Sequence, residues 1–365
     1  SSLPVTLGRW GDGWVAPTDL AVAGNHAYVV DPYRGLATVE FGDDFSEPQL
    51  IGQYGWPENS MQGIALAGHH AYVVDANRGL VVLDLDVLTS PTIAGELAWP
   101  DAEPRRVAVT DGYAYVTDRA HGLLVVDVSN PSSPALVGQV DWTDSYPGRV
   151  WASASYVYIA DGYKFASGAE YHNGLVIVDV TVHDSPSVVY QSSLDANFST
   201  GWWSCTVADS RAYLTSYKTL ATLDLSNPTA PETIDTVETR GHLIGNAMGV
   251  AGSYVTMFND YYVGGGVVTF WDRTVPSTST AVGSIVAPVA ADRDLPLPDY
   301  GAGFVFAAEG DHAILLGPGT LAVHDLGQLR TPLEAGTVET GASATLSVAS
   351  ASDSVVVAGK GGLTT

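Results

Sequence analysis

The chain has 365 residues, of which 46% are hydrophobic and 15% charged, so it can bury a large core. Its 40 Asp and Glu against 15 Lys and Arg give a formal net charge of −25, which argues against nucleic acid as a partner because phosphate backbones would be repelled. The single cysteine, Cys205, excludes an intrachain disulfide and lies in an apolar run typical of a buried side chain. We expect no membrane span, and a leader already removed if the protein is secreted.

One motif recurs along the chain. It reads AVAGNHAYVVD at 21–31, ALAGHHAYVVD at 65–75, AVTDGYAYVTD at 108–118 and WASASYVYIAD at 151–161, and weaker copies begin near 206, 249, 307 and 349. The copies follow one another at intervals of about 43 residues, with two longer intervals. A period of this kind indicates an array of one structural unit.

Each unit predicts four strands in a fixed order. A short apolar strand such as Leu20–Val22 is followed by a strand rich in Tyr and Val, and then by a turn that ends in Gly, as in Asp31–Gly35. A third strand such as GLVVLDL at 79–85, a polar turn with prolines and a fourth strand such as Ala135–Val140 complete the unit. Short β-branched runs between turn residues indicate an all-β protein. Because a four-stranded sheet can bury both faces only between neighbouring sheets, the repeat predicts a β-propeller.

The two ends of the chain carry complementary fragments of the unit. A lone fourth strand is predicted at Pro4–Trp10, and the first three strands of a unit are predicted at 345–365. We predict that 345–365 and 1–10 pair as a composite closing blade, so that residues 1–365 form a single β-propeller domain without an open sheet edge. This count gives eight blades, and seven is the alternative if one weak copy is not a blade.

The third strands carry a family resemblance. The segments GLVVLDL at 79–85, GLLVVDV at 122–128 and GLVIVDV at 174–180, with AVxGxxAYVxD before them and SNPSSPxLVG after, resemble the LVIVD-repeat family. These are propeller repeats of bacterial and archaeal surface or secreted proteins. The resemblance implies a propeller and an extracellular, cell-surface or periplasmic location. It assigns no activity, because propellers host many functions.

The basic residues fall mainly in two sets of loops, which run from strand two to strand three and from strand four to the next strand one. In a propeller both sets project to one side, named here the loop face, where binding residues are often found. The basic residues of the two-to-three loops are Arg34, Arg78, Arg119, Lys164, Lys218 and Lys360, and those of the four-to-one loops are Arg105, Arg106, Arg149, Arg240 and Arg293. Arginine suits paired hydrogen bonds to carboxylates and sulfates, so the loop face is a candidate anion-binding surface. In the alternative interpretation these side chains only offset nearby acids.

Aromatic and histidine side chains join this face, and they either pack between blades or stack on a flat ligand. The 161–174 loop is the most enlarged and brings in four candidate residues, which makes it the predicted centre of any site. The candidate ligand-binding residues are Arg34, Arg78, Arg119, Lys164, Tyr171, His172, Trp202, Trp203, Tyr217, Lys218, Arg240 and His242.

Two classes of function are open. The first is a binding or scaffold module for a protein or an anionic polysaccharide. The second is a lyase acting on a uronate-containing polysaccharide, which needs a cation to neutralise the carboxylate and an acid and a base to move protons. In that case Arg119 or Arg149 would neutralise the uronate carboxylate. The proton-transfer candidates are His121, His172, Tyr163 and Tyr171. No phosphate-loop, metalloprotease or nucleophile-elbow motif occurs.

Aspartates recur where strands two and three end, and we interpret them as caps of the turns that follow. They are Asp31, Asp75, Asp118 and Asp161 after strand two, and Asp84, Asp127, Asp179 and Asp224 after strand three. No cofactor and no metal site is predicted. A structural Ca²⁺ bound by such aspartates and neighbouring carbonyls is left open.

Overall fold

Every regular element in the described part of the chain is a β-strand. The computed structural model describes residues 5–10, 17–42, 48–141, 146–162, 174–192, 204–215, 219–238, 248–251, 253–261, 265–273, 281–286, 305–309, 312–317, 320–325, 345–351, 354–359 and 362–364. This part contains no helix with the length and apolarity that a membrane span requires.

The strands follow one another with the short spacing that the repeat predicts. The strands of the first half are β1 Val5–Trp10, β2 Asp19–Ala23, β3 His26–Asp31, β4 Gly35–Glu40, β5 Gln49–Tyr54, β6 Met61–Ala67, β7 His70–Asp75, β8 Gly79–Asp84, β9 Thr92–Leu97, β10 Pro104–Thr110, β11 Tyr113–Asp118, β12 Gly122–Asp127, β13 Ala135–Val140, β14 Tyr146–Ala152, β15 Tyr156–Gly162, β16 Gly174–Asp179 and β17 Ser187–Gln191. The strands of the second half are β18 Ser204–Ala208, β19 Arg211–Thr215, β20 Thr219–Asp224, β21 Glu232–Glu238, β22 Met248–Ala251, β23 Tyr254–Tyr261, β24 Gly265–Asp272, β25 Ala281–Val286, β26 Val305–Glu309, β27 His312–Gly317, β28 Thr320–Asp325, β29 Thr345–Ala351, β30 Ser354–Gly359 and β31 Gly362–Thr364.

These strands form antiparallel sheets of the predicted kind. Within the described ranges there are seven four-stranded sheets and one three-stranded sheet. Sheets one to six each take four consecutive strands, beginning with β2, β6, β10, β14, β18 and β22. Sheet seven has the order β1-β28-β27-β26, and sheet eight consists of β29, β30 and β31. The all-β class and the four-stranded repeat are therefore confirmed.

The core lies between neighbouring sheets because each sheet has an apolar side chain on both faces. On β7 and β8, Val74 and Val82 pack against sheet three, whereas Val73 and Val81 pack towards sheet one. Alternate residues of a strand point to opposite faces, so the unbroken apolar runs of the second and third strands supply both interfaces. Burying these side chains on both faces drives sheet-on-sheet stacking.

The strands that begin sheets one to six, together with β26 of sheet seven, are called the first strands here; they contact one another in succession and form what is named the inner wall. β2 contacts β6, β6 contacts β10, and the same contact between first strands continues through β14, β18 and β22 to β26. β26 in turn contacts β2. A residue at the start of one first strand is therefore brought towards residues at the same level of the neighbouring first strands.

The predicted composite closing blade is not confirmed. β1 pairs antiparallel with β28, from Val5 opposite Asp325 to Trp10 opposite Leu321, instead of with 345–364. The three strands predicted at 345–365 do form, as the separate sheet eight. An edge strand pairs through its main chain, so the sequence specifies weakly which of two open edges it joins.

Candidate functional site

In two of the described blades a buried aspartate, Asp75 or Asp118, accepts hydrogen bonds from both loop sets. Asp118 is fully buried at the end of β11. Its Oδ1 accepts hydrogen bonds from the N–H groups of Ala120 and His121, at 2.8 and 3.0 Å, in the two-to-three loop. Its Oδ2 accepts the N–H of Glu103, at 2.9 Å, in the four-to-one loop. The predicted capping role is confirmed, and it extends to a second loop that the sequence did not indicate.

The aspartates that end the third strands cap the turns on the opposite rim. Asp127 accepts the N–H of Ser129 at 2.9 Å, and Asp179 accepts both the N–H and the hydroxyl of Thr181. These hydrogen bonds stabilise the charged form, so the pKa of each carboxyl lies below its usual range. Asp224 has the same arrangement and a lowered pKa for the same reason.

The 31–35 loop presents two predicted residues on a fixed main chain. Oδ1 of the buried Asp31 accepts the N–H groups of Tyr33 and Arg34, at 2.8 and 3.0 Å. The side-chain amides of Asn59 and Gln53 hold the carbonyls of Pro32 and Arg34, at 2.9 and 3.1 Å. The Tyr33 side chain is nevertheless 79% exposed, and Arg34 is exposed beside it. The loop therefore offers an aromatic ring and a guanidinium group in a constrained position.

Two further described cations of the loop face, Arg78 and Arg119, are paired with acids. Arg78 donates to both carboxylate oxygens of Glu96, at 2.5 and 3.1 Å, and its guanidinium lies 4.8 Å from the ring centre of Trp56. Arg119 lies 3.6 Å from Glu103, with both side chains about half exposed. For these two arginines the structure favours the interpretation that basic side chains offset local acids.

His121 also contacts the buried carboxylate of Asp118 through its side chain. Its Nδ1 lies 3.1 Å from Oδ1 of Asp118, and Arg119, the preceding cation, is directed to Glu103. Arg149 lies instead among the first strands, beside Asp19. Arg119 and His121 therefore contact the connected pair Glu103 and Asp118, whereas Arg149 lies apart from them on the inner wall.

The described tryptophans of the four-to-one loops pack against the blades. Trp56 lies against the apolar cluster between sheets one and two, and Trp99 against the cluster between sheets two and three. Trp99 also donates its indole N–H to Asp118 at 2.9 Å. For these two rings the structure favours packing between blades over stacking on a flat ligand.

The remaining candidate residues lie outside the described part of the chain and stay predictions. They are Tyr163, Lys164, Tyr171, His172, Trp202, Trp203, Tyr217, Lys218, Arg240 and His242. In the described ranges no group of three or more His, Cys, Asp or Glu side chains could hold a metal ion.

The described charged side chains that converge most closely on the inner wall are Asp19, Arg106 and Arg149, named here the inner cluster. Asp19 begins β2, Arg106 lies on β10 and Arg149 on β14. Oδ2 of Asp19 lies 3.8 Å from Nε of Arg106, and Oδ1 lies 3.9 Å from Nη2 of Arg149. The placement of Arg149 in a loop was wrong: strand one starts earlier than its apolar run suggests, because its first residues face the inner wall.

The inner cluster is partly shielded from solvent. The side chains of Asp19, Arg106 and Arg149 are 9%, 17% and 18% exposed. Burial lowers the pKa of Arg149, as does the nearby positive charge of Arg106, whereas the Asp19 carboxylate raises it. The three side chains line a cavity of about 120 Å³ together with apolar residues of the same strands.

Main-chain hydrogen bonds fix the inner cluster in place. Oδ2 of Asp19 accepts the N–H of Ile64 at 3.1 Å, and Nη1 of Arg106 donates to the carbonyls of Gln62 and Arg105, both at 2.8 Å. Gly63 lies between them, where a Cβ atom would come within 3.0 Å of the main chain of β10. The absence of a side chain at Gly63 therefore allows β10 to approach β6.

Sequence reasoning missed Asp19 and Arg106 as members of one site. The strand register places Asp19 opposite Val30, Gly63 opposite Val74, and Arg106 opposite Thr117. These are equivalent positions of successive repeats. An alignment of this position around the ring would have shown that Asp, Gly and Arg stand on neighbouring first strands at one level.

The fold and its inner wall of first strands define a β-propeller, and the comparisons agree. The LVIVD repeat family matches residues 17–55, 60–98 and 103–142, which hold sheets one, two and three, so these three blades are LVIVD repeats. The similar segment at 174–180 lies outside the matched residues. No curated protein matches the chain in sequence.

Solved propellers resemble the chain in shape. The β-propeller domain of Cps50 (Swd1) from Myceliophteria thermophila has a TM-score of 0.63 and 9% identity, over 88% of this chain and 99% of that one. Virginiamycin B lyase from Staphylococcus aureus has a TM-score of 0.58 and 10% identity, over 87% and 98%. YCF48, solved bound to a D1 peptide, has a TM-score of 0.56 and 11% identity, over 87% and 96%. At these identities the likeness shows the fold alone.

Proposed function

We propose that the chain is a binding or scaffold module whose loop face takes a protein partner around Tyr33 and Arg34. The observation that carries this proposal is the exposure of Tyr33 on a loop whose main chain is fixed by the buried Asp31. Tyrosine and arginine are enriched among the residues that dominate binding energy at interfaces. A loop that is already ordered loses little further entropy on binding, which favours a partner at this position.

The chemistry of this patch suits a peptide segment with an apolar side chain beside a carboxylate. The Tyr33 ring would cover the apolar group, and the Arg34 guanidinium would pair with the carboxylate. YCF48, one of the structural neighbours, is described as bound to a peptide. An anionic polysaccharide is the alternative partner, and the net charge of −25 disfavours a long polyanion through general repulsion.

The proposal is tested by selecting peptides from a displayed library on the intact protein and measuring their affinity for variants. Tyr33→Ala and Arg34→Gln are expected to weaken binding about ten-fold or more. Val87→Ala is the matched control, because Val87 is 59% exposed in a three-to-four turn on the opposite rim. Equal binding by Tyr33→Ala and Val87→Ala would contradict the proposal.

The same screen separates the other partners. Polyuronate, sulfated and neutral glycans are included, and turnover is read from the absorbance of an unsaturated uronate product. Binding of polyuronate with no peptide selected would replace the protein partner by a glycan. New absorbance would establish the lyase alternative and direct attention to His172 and Tyr171.

Two further expectations belong to this proposal. We infer seven blades in the ring, since the contacts between first strands run from β2 to β26 and return to β2. We also propose a location outside the cytoplasm, which is what the resemblance to the LVIVD-repeat family implies. Protease digestion of intact cells that produce the protein tests this location, and full protection from protease would contradict it.

A further inference from the structure

The inner cluster holds more positive than negative charge. Among the described residues that line its cavity, Arg106 and Arg149 are the basic side chains and Asp19 is the only acidic one. Two guanidinium groups thus lie beside one carboxylate in a space that is partly shielded from water. Charges interact more strongly in such a place than at the surface, so two neighbouring guanidinium groups favour a bound anion.

One donor of the cluster has no acceptor among the described residues. Asp19 lies 3.8 Å from Nε of Arg106, which is too long for a hydrogen bond, and its Oδ2 already accepts the N–H of Ile64. Nε of Arg106 is buried and has no hydrogen-bond partner among the described residues. A buried donor without a partner costs free energy, and a small rotation of the Arg106 side chain would let an acceptor in the cavity recover it.

The cavity has room for such an acceptor. Its volume of about 120 Å³ is several times the roughly 30 Å³ that one water molecule occupies in the liquid. A carboxylate group or a tetrahedral oxyanion is of this order of size. The space is too small for a sugar chain or a folded segment, so it selects a compact group.

We propose that this cavity binds one small oxyanion, held between the guanidinium groups of Arg106 and Arg149. Asp19, fixed by the main chain of β6, reduces the mutual repulsion of the two arginines in the absence of the anion and competes with it. The chemistry is shared by free sulfate or phosphate and by a single carboxylate at the tip of a partner's side chain. The site is independent of the proposed partner at Tyr33, because it uses none of the residues of the 31–35 loop.

The test is titration calorimetry of the full chain with sodium sulfate, sodium phosphate and sodium succinate, against chloride at constant ionic strength. An acetylated peptide with one glutamate is a separate arm that distinguishes a side-chain carboxylate from a free anion. We expect saturable binding with one ion per chain. Arg106→Gln and Arg149→Gln are each expected to weaken it about ten-fold or more, because each removes a charge-assisted donor.

Two further variants separate a site from general charge. Asp19→Asn removes the competing carboxylate and is expected to tighten anion binding. Arg273→Gln removes one positive charge on the opposite rim, where Arg273 pairs with Asp209, and is expected to leave binding unchanged. Circular dichroism confirms folding, and Arg149→Lys is the conservative replacement if a glutamine variant does not fold.

The outcomes decide the proposal in either direction. Lack of saturable binding by the wild-type chain with all of these anions would overturn it, as would equal affinity of Arg106→Gln, Arg273→Gln and the wild type. Loss of peptide binding by Tyr33→Ala with sulfate binding intact would show that the partner surface and the anion site are separate. Binding of the glutamate peptide alone would identify the anion as part of a partner.

Discussion

Trp99 donates its indole N–H to Oδ2 of Asp118 over 2.9 Å, although Trp99 lies in a loop and Asp118 at the end of a strand of the next sheet. Trp99 lies in the loop that enters sheet three from sheet two, and Asp118 ends the second strand of sheet three. The same oxygen accepts the N–H of Glu103. One buried carboxylate thus connects the packing between two blades with the loop face.

Replacement of Asp118 by alanine is expected to be strongly destabilising. It would leave the main-chain N–H groups of Glu103, Ala120 and His121 and the indole N–H of Trp99 without their acceptor, and these donors are partly buried. A fully buried donor left unpaired costs about 1–3 kcal/mol, so each of these is expected to cost about 1 kcal/mol. We expect a total loss of about 3 kcal/mol or more, measured from urea unfolding. Asp127→Ala, which removes an exposed cap on the opposite rim, is the control and should cost about 1 kcal/mol. Equal losses of stability in the two variants would contradict the proposed role of Asp118 in connecting the two loops.

The caps of the third strands predict a loss of stability in acid. The pKa values of Asp127, Asp179 and Asp224 are lowered from 3.8 in the folded chain, mainly by hydrogen bonds from Ser129, Thr181 and Ser226. A lowered folded pKa contributes stability that is fully present above the unfolded value and is lost as the pH falls below it. We therefore expect the midpoint temperature of thermal unfolding to decrease when the pH is lowered below about 4.

A triple variant isolates the contribution of these caps. Asn at the three positions can still accept the turn hydrogen bonds but does not ionise. The variant should show a smaller fall in thermal midpoint between pH 5 and 3 than the wild-type chain, on the order of a few degrees. An identical fall in both proteins would show that other carboxylates determine acid stability.

The pairing of β1 with β28 predicts that truncations at the two ends of the chain differ in their effect on stability. Removing 345–365 deletes sheet eight, which takes no part in the cycle of contacts between first strands. Removing 1–10 deletes β1 and exposes the edge of β28. We expect the first truncation to leave the main thermal transition in place and the second to lower it and promote aggregation. Light scattering during heating measures both, and the reverse order of stability would contradict this closure.

The sequence predicted the repeat more fully than the site, for a physical reason. A unit such as 65–85 carries its strand periodicity and turn residues locally, so AYVVD and GLVVLDL were sufficient to place β7 and β8. The inner cluster joins Asp19, Arg106 and Arg149 across three blades, and its geometry depends on the ring. Even the partner of β1 depends on which open edge lies nearest after the ring forms.

Two glycines with a positive φ give the last prediction, because Gly79 ends a two-to-three loop against a neighbouring strand, whereas Gly24 lies in an open one-to-two turn, so the pair separates backbone strain from close packing. Gly79 has a φ of +82°, and a Cβ atom there would overlap the carbonyl oxygen of Leu97 and lie 2.9 Å from Trp99. Gly24 has a φ of +56° with nothing within 4 Å. A left-handed conformation costs a residue other than glycine about 1–2 kcal/mol, so Gly24→Ala should lose about this much. Gly79→Ala should lose more, since β8 and β9 must also separate, and equal losses in urea unfolding would contradict the close approach.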